Sequence, residues 1–388
     1  MLRVAFITLA LTGLVSCASA PPMPAAQDLL HDEWFQSVPL PPAGAALAMS
    51  EPMREFVRTR LRKFPGHVEQ EDPRRTLFQA LYKKNELQLE YESERTRTAS
   101  EAFEARSGNC LSLVLLTSAM AQAMGLQVQY QMLDGSEAWA HEGKFFLAIG
   151  HVNIVLDQPA QDIDLKHWTS SPLVVDFLPS PEAAKLNTYV IEEKTVVAAY
   201  LNNRAVETLV QGHLDEAYAW TRASLGQDKA FANAYVTLGV VYRLSHHPEA
   251  AEQVLERLAA RMPDNLTVMS NQVLVLKDLH RDEEAKALQQ RVAQLDPHPA
   301  GSYYRLGVAE FKAGHFEQAR RWYEREIARD PDHAEFEFAL AVCLLQLHER
   351  DRALTHLRLA MNLSTSAGER QLYAAKLARL QRVAAPAP

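Results

Sequence analysis

Apolar and polar positions follow three successive patterns along this 388-residue chain. Between Ser50 and Lys63, Met53, Phe56, Val57 and Leu61 recur at helical spacing, with Ser50 as N-cap and Pro52 near the start. A second helix is expected over Pro73–Glu86, with Leu77, Leu81 and Tyr82 on one face, and Ser100 is expected to cap a short helix, Glu101–Ala105. The next run is apolar nearly all round: Leu111, Leu113, Val114, Leu115, Leu116, Met120 and Met124, ended by Gly125. Such a run reads as a buried central helix with a glycine C-cap. After Gly125 the pattern alternates. Leu126, Val128, Tyr130 and Met132 fall on one side and Gln127, Gln129 and Gln131 on the other, which predicts a strand with one buried face. Asp134-Gly135 marks a turn, Lys144–Leu156 forms a second strand region, and Leu173–Leu178 a third, bounded by Pro172 and Pro179. Helices followed by antiparallel strands describe an α+β domain over residues 46–190.

The third regime is a repeat. Ala217, Ala251, Ala285, Ala319 and Ala353 are spaced by 34, as are Pro263, Pro297 and Pro331, and Gly212, His246, His280, Gly314 and His348 hold one phase. Gly239 and Gly307 share another phase. A small alanine lets two helices approach closely, and a proline closes the second helix of each unit. Five units over 198–367 and a closing helix and tail over 368–388 follow, the first unit having Lys229 at the proline position. This pattern resembles the tetratricopeptide repeat, an all-α solenoid. The resemblance implies a groove for a protein or peptide partner, and Tyr235, Tyr303 and Tyr304 stand either in that groove or at ordinary bulky first-helix positions. Because repeats pack on their neighbours, the array is expected to fold apart from the preceding domain.

Candidate chemistry sits at the start of the apolar helix. In Arg106-Ser-Gly-Asn-Cys110 a tight turn delivers Cys110 to a helix N-terminus, where unpaired N–H groups and the helix dipole favour a thiolate. His151 and Asp176 follow in strand-like runs, Gly150-His151-Val-Asn-Ile and Val175-Asp176-Phe177. Nucleophile, base and orienting acid are thereby supplied in that order. His141 and His167 are rival bases. These elements resemble the transglutaminase-like branch of the papain-like cysteine enzymes, over roughly Thr96 to Leu178, with Val152 where many relatives carry an aromatic residue. The resemblance implies acyl transfer: Cys110 attacks an amide carbonyl, His151 protonates the leaving amine and Asp176 holds the ring. Hydrolysis, deamidation and crosslinking stay open. The Cys110 backbone N–H is a natural oxyanion donor, with Asn109 or Tyr91 as candidates for the second.

Charge and cysteine content narrow the compartment and the partners. With 40 basic against 48 acidic residues the net charge is −8, which gives no general attraction to nucleic acid. Arg3 followed by a short apolar stretch to Leu11 reads as a signal peptide over 1–16. Leu14-Val15-Ser16-Cys17 resembles a bacterial lipobox, which implies lipidation of Cys17, a tether over 17–45, and, with Ala18 next, an outer-membrane lipoprotein facing the periplasm. An ordinary secretory signal cleaved near Ala18-Ser19-Ala20 is the alternative. Three cysteines, Cys17, Cys110 and Cys343, leave a Cys110–Cys343 disulfide as the one internal pairing once Cys17 carries lipid, and the helical surroundings of Cys343 argue for a buried thiol instead. No histidine pair sits at metal-ligand spacing, and neither cofactor nor metal is expected. Two functions follow: a cysteine acyl transferase whose repeats present a protein substrate, or a repeat scaffold with an inactive transglutaminase-like domain.

Overall fold

The computed structural model describes residues 26–61, 72–83, 85–93, 95–133, 138–141, 145–157, 171–177, 188–298, 301–331, 333–364 and 367–382. Cys17, His167 and the Asp134-Gly135 turn lie outside them.

The N-terminal half is a mixed α/β region. Short 3₁₀ turns at Ala26–Leu29, Asp32–Trp34 and Ala43–Ala46 lead into α1 (Glu51–Phe56), which continues as a π-helical turn over Val57–Leu61. Helix α2 (Pro73–Tyr82) starts at Asp72, whose side chain accepts the Arg74 N–H. The buried Arg74 guanidinium donates back to Asp72 and to the carbonyl of Ser171, and pairs with Asp157, pinning α2 to the strands. Strand β1 (Glu90–Tyr91) pairs in parallel with β2 (Ser107–Gly108), and α3 (Ala99–Ala105) runs between them. The cap of α3 is Thr98, not Ser100. Thr98 and Glu101 form a reciprocal capping box, which leaves Ser100 Oγ to donate to the Ala48 carbonyl.

Helix α4 (Cys110–Ala123) is buried on nearly every side from Leu111 to Ala121, as its continuous apolar sequence requires. Beside it stands a four-stranded antiparallel sheet in the order β7-β6-β3-β8, built from β3 (Gln127–Leu133), β6 (Val152–Asp157), β7 (Leu173–Val175) and β8 (Thr188–Ile191). Gln129 pairs with Val155, Val155 with Val174, and Gln131 with Val190. A separate hairpin joins β4 (Ala138–His141) to β5 (Phe146–Ile149), so His141 ends a strand.

Stacked helix pairs make the C-terminal half: α5 (Glu193–Val210) with α6 (Leu214–Gln227), α7 (Ala232–Leu244) with α8 (Pro248–Arg261), α9 (Leu266–Asp278) with α10 (Asp282–Leu295), α11 (Ser302–Lys312) with α12 (Phe316–Arg329), and α13 (Ala334–Gln346) with α14 (Arg350–Leu363), closed by α15 (Ala367–Arg382). The 34-residue alanines are all but inaccessible. The Gly/His phase has a backbone reason: Gly212, His246, His280, Gly314 and His348 all have positive φ, turning the chain between the two helices of each pair. At Gly307 a Cβ would stand 2.5 Å from the Tyr323 ring, so the phase that holds Gly239 and Gly307 is one of close helix contact. Tyr235 is buried, its hydroxyl donating to the Lys229 carbonyl, which makes it a packing residue and not part of a groove.

Two expectations are corrected. The stretch assigned to a tether is packed from Ala26 onward. The Tyr242 hydroxyl donates to the Leu29 carbonyl at 2.6 Å, Tyr218 donates to Asp32 at 2.8 Å, and Trp34 stacks between His31 and His247 at 3.9 Å from each. Nor do the halves have separate cores. One hydrophobic cluster runs from Ala26 to Val275, with Val196, Ala198 and Leu201 of α5 sharing it with Leu115, Met120 and Ile154. Apolar faces on α5 that would be solvent-exposed in a free-standing array are covered here by the α/β region.

The array also has an open joint. Helices α10 and α11 barely meet, whereas the corresponding neighbours α8 with α9 and α12 with α13 are packed. Leu306 is 45% exposed, yet Leu238 and Leu340, at the same phase of the repeat, are 0% and 1% exposed. Replacing Leu340 by alanine should therefore cost about 2–5 kcal/mol and Leu306 well under half of that, measured by chemical denaturation.

Candidate functional site

The turn before α4 is built for close approach. A Cβ at Gly108 would stand 2.6 Å from the Ser112 Cβ, so a side chain there would push the turn away from the helix it starts. Arg106, in the left-handed region, ends α3, and its carbonyl accepts the Glu90 N–H at 2.9 Å. Asn109 is the N-cap of α4. Its Oδ1 accepts from the Ser112 N–H at 2.9 Å and from the Ser112 hydroxyl at 2.8 Å, while its Nδ2 donates to Thr96 Oγ1 at 2.8 Å. Both ends of the amide are thus engaged in holding the turn, a structural duty different from the oxyanion donor considered from sequence.

Cys110 occupies the first position of α4 and is partly exposed. His151 stands just before β6, not within it, although its carbonyl still accepts the Leu133 N–H at 3.1 Å, which ties it to β3. Asp176 directly follows β7. His151 Nε2 and Asp176 Oδ1 are 2.8 Å apart, with 12% and 20% side-chain exposure. Antiparallel pairing of β6 with β7 brings the two together across 25 residues. Cys110 stands near enough to the ring for its thiol to favour the charged imidazole. Burial works against a charged ring, but the Asp176 hydrogen bond and Cys110 outweigh it and raise His151 to about 10. The three residues named from sequence are therefore brought to one place.

Tyr91, from β1, faces the same point. Burial and then Cys110 hold the phenol well above its usual range, so it remains an O–H donor. Beside it opens a cleft of about 390 Å³, lined by Gln88, Glu90, Tyr91, Glu92, Arg106 and, from the far end of the chain, Arg370 of α15. Glu92 accepts from Arg97 at 3.2 Å and from Ser107 at 2.8 Å, and these contacts lower its carboxyl pKa. Cys343 lies elsewhere, free and buried, with burial pushing its thiol to about 11.

Sequence reasoning missed Thr96, Ser112, Glu92 and Arg370. The capping pattern Thr98-x-x-Glu101 was the local signal that could have placed the segment 96–98; contacts between distant segments leave no such trace.

A family model described as the tetratricopeptide repeat matches residues 300–333. Similar solved structures include YrrB, a TPR protein with an unusual peptide-binding site (22% identity, 46% of this chain and 92% of that one, TM-score 0.24), and TTC0263, a thermophilic TPR protein in Thermus thermophilus (19%, 46% and 98%, TM-score 0.29). PilF of Pseudomonas aeruginosa is another (20%, 49% and 87%, TM-score 0.29). Likeness at these scores carries nothing about activity or partners. No curated protein matches the chain. The period of 34, the left-handed turn phase, the stacked helix pairs and the matched unit at 300–333 together make the C-terminal half an array of tetratricopeptide repeats.

Proposed function

We propose that this chain is a transglutaminase-like cysteine acyl transferase acting on protein or peptide amides, with the repeats holding the partner. The contact that carries the reading is His151 Nε2 to Asp176 Oδ1 at 2.8 Å, with Cys110 at a helix start against the same ring. In this reading Cys110 Sγ attacks the carbonyl carbon, and the oxyanion takes the Cys110 N–H and the Tyr91 O–H. The carbon–nitrogen bond then breaks as the His151 proton passes to the leaving amine. Water or a second amine attacks the thioester and returns a proton to His151, releasing acid or a new amide. Arg370 shares a cleft wall with Tyr91, the proposed oxyanion donor, which supports a substrate met by both halves of the chain. A lipid on Cys17 would place the site at the outer membrane, facing the periplasm.

The test is a pre-steady-state assay with an activated acyl ester. One thioester per chain on Cys110, found by peptide mass spectrometry and absent from Cys110→Ala, is expected. Tyr91→Phe should slow acylation about 10²-fold or more, the usual loss for one oxyanion donor. A wild-type chain that forms no thioester would refute the reading and leave a binding scaffold.

A further inference from the structure

We propose that the first repeat helix, α5, is a positioning element of the cysteine site, with Asn203 and Glu207 acting on Cys110 through Thr96. The inference rests on the reading of Cys110 as the nucleophile, and goes beyond it by assigning part of the site to the repeat array.

The capping amide of Asn109 fixes where α4 begins, and so where Cys110 stands. Its Nδ2 is held by Thr96 Oγ1 at 2.8 Å. Thr96 is 2% exposed, yet it lies in no helix or strand whose ladder could hold it. What holds it comes from 107 and 111 residues further on. The Asn203 Nδ2 donates to Thr96 Oγ1 at 3.3 Å, and the Thr96 backbone N–H donates to Glu207 Oε1 at 2.7 Å. Asn203 and Glu207 are four residues apart on α5, one turn along the same face. Glu207 is itself held by an ion pair with Arg204. A second line runs in parallel: the Arg97 N–H donates to Ser112 Oγ at 2.8 Å, and that hydroxyl donates to Asn109 Oδ1. Segment 96–97 is thereby strung between the first repeat helix and the cap of the nucleophile helix. Loss of the α5 contacts frees Thr96, loosens the Asn109 amide and lets Cys110 drift from His151. Displacements of an ångström in such a pair cost about a hundredfold in rate.

The experiment measures alkylation of Cys110 by iodoacetamide against pH in the full chain, with Cys110→Ala as the blank. Glu207→Ala, Asn203→Ala and Thr96→Val are expected to slow alkylation at pH 7 by about ten- to a hundredfold and to change the shape of the pH profile. Glu207→Gln, which keeps an oxygen for the Thr96 N–H, should stay within a few fold of wild type. Leu209→Ala, a buried apolar truncation on the same helix, should lower the melting temperature and leave the profile alone. If Glu207→Ala does not fold, Asn203→Ala and Glu207→Gln decide the matter. Folded α5 variants with wild-type rate and profile overturn the proposal while the site reading stands, provided His151→Ala slows alkylation. A His151→Ala chain that alkylates like wild type overturns both.

Discussion

Replacing Asp176 with asparagine should lower the pH at which His151 gives up its charge and slow acyl transfer by about 10³- to 10⁴-fold. The ring is largely buried, and burial alone drives a histidine toward its neutral form. What reverses this is first the Asp176 hydrogen bond, then Cys110. Asparagine can keep the contact at Nε2 but supplies no charge. Imidazole resonances of His151 should titrate near pH 10 in the wild-type chain and at lower pH in Asp176→Asn. The linkage has a definite sign. A ring whose folded-state pKa is raised from 6.5 to about 10 adds stability that is complete below about pH 6.5 and lost as pH climbs toward 10. The gap in unfolding free energy between wild type and Asp176→Asn should therefore shrink between pH 6.5 and 10. A gap that widens over that range would show that the ring is neutral in the folded protein.

A chain cut after Ile191 should fail to give a cooperative unfolding transition, whereas one cut after His298 should melt as a folded unit with Cys110 still reactive. The first cut removes Val196, Ala198, Leu201 and Ala205, all nearly inaccessible and all in the shared core. It also removes Tyr218 and Tyr242, on which residues 29–35 are docked, and Glu207, which holds Thr96. Exposing several large apolar side chains at about 1.5–3 kcal/mol each exceeds the net stability of most domains. The second cut falls at the open joint. The cores of α11–α14 and α15 are clusters of their own, and α10 is already uncovered on that side. Circular dichroism melts of the two truncated chains, read beside iodoacetamide labelling of Cys110, settle both expectations. A sharp transition in the chain ending at Ile191 would mean that the α/β region carries its own stability.

How far the sequence reached depended on whether the cause was local. Period and composition determined the apolar helix at Cys110–Ala123, the alternating strand at 127–133 and the 34-residue helix pairs, because an element's buried face is written in its own residues. The order Cys110, His151, Asp176 was legible for the same reason. Their meeting was not, since it needs the β6–β7 register that lays Ile154 against Val175. The cap of α3 was misplaced by two residues because Thr98 and Ser100 are both good caps, and the choice falls to Glu101, which reaches Thr98. The core that the halves share at α5 left no mark in the sequence, because a repeat period shows how units stack and not what covers the first one. Only the tertiary structure decided that α5 is buried under the α/β region, that Thr96 hangs between Glu207 and Asn109, and that Leu306 stands exposed where Leu238 and Leu340 are enclosed. Each of these depends on which distant surface arrives opposite a residue, and a side chain's own neighbours in the chain carry no record of that.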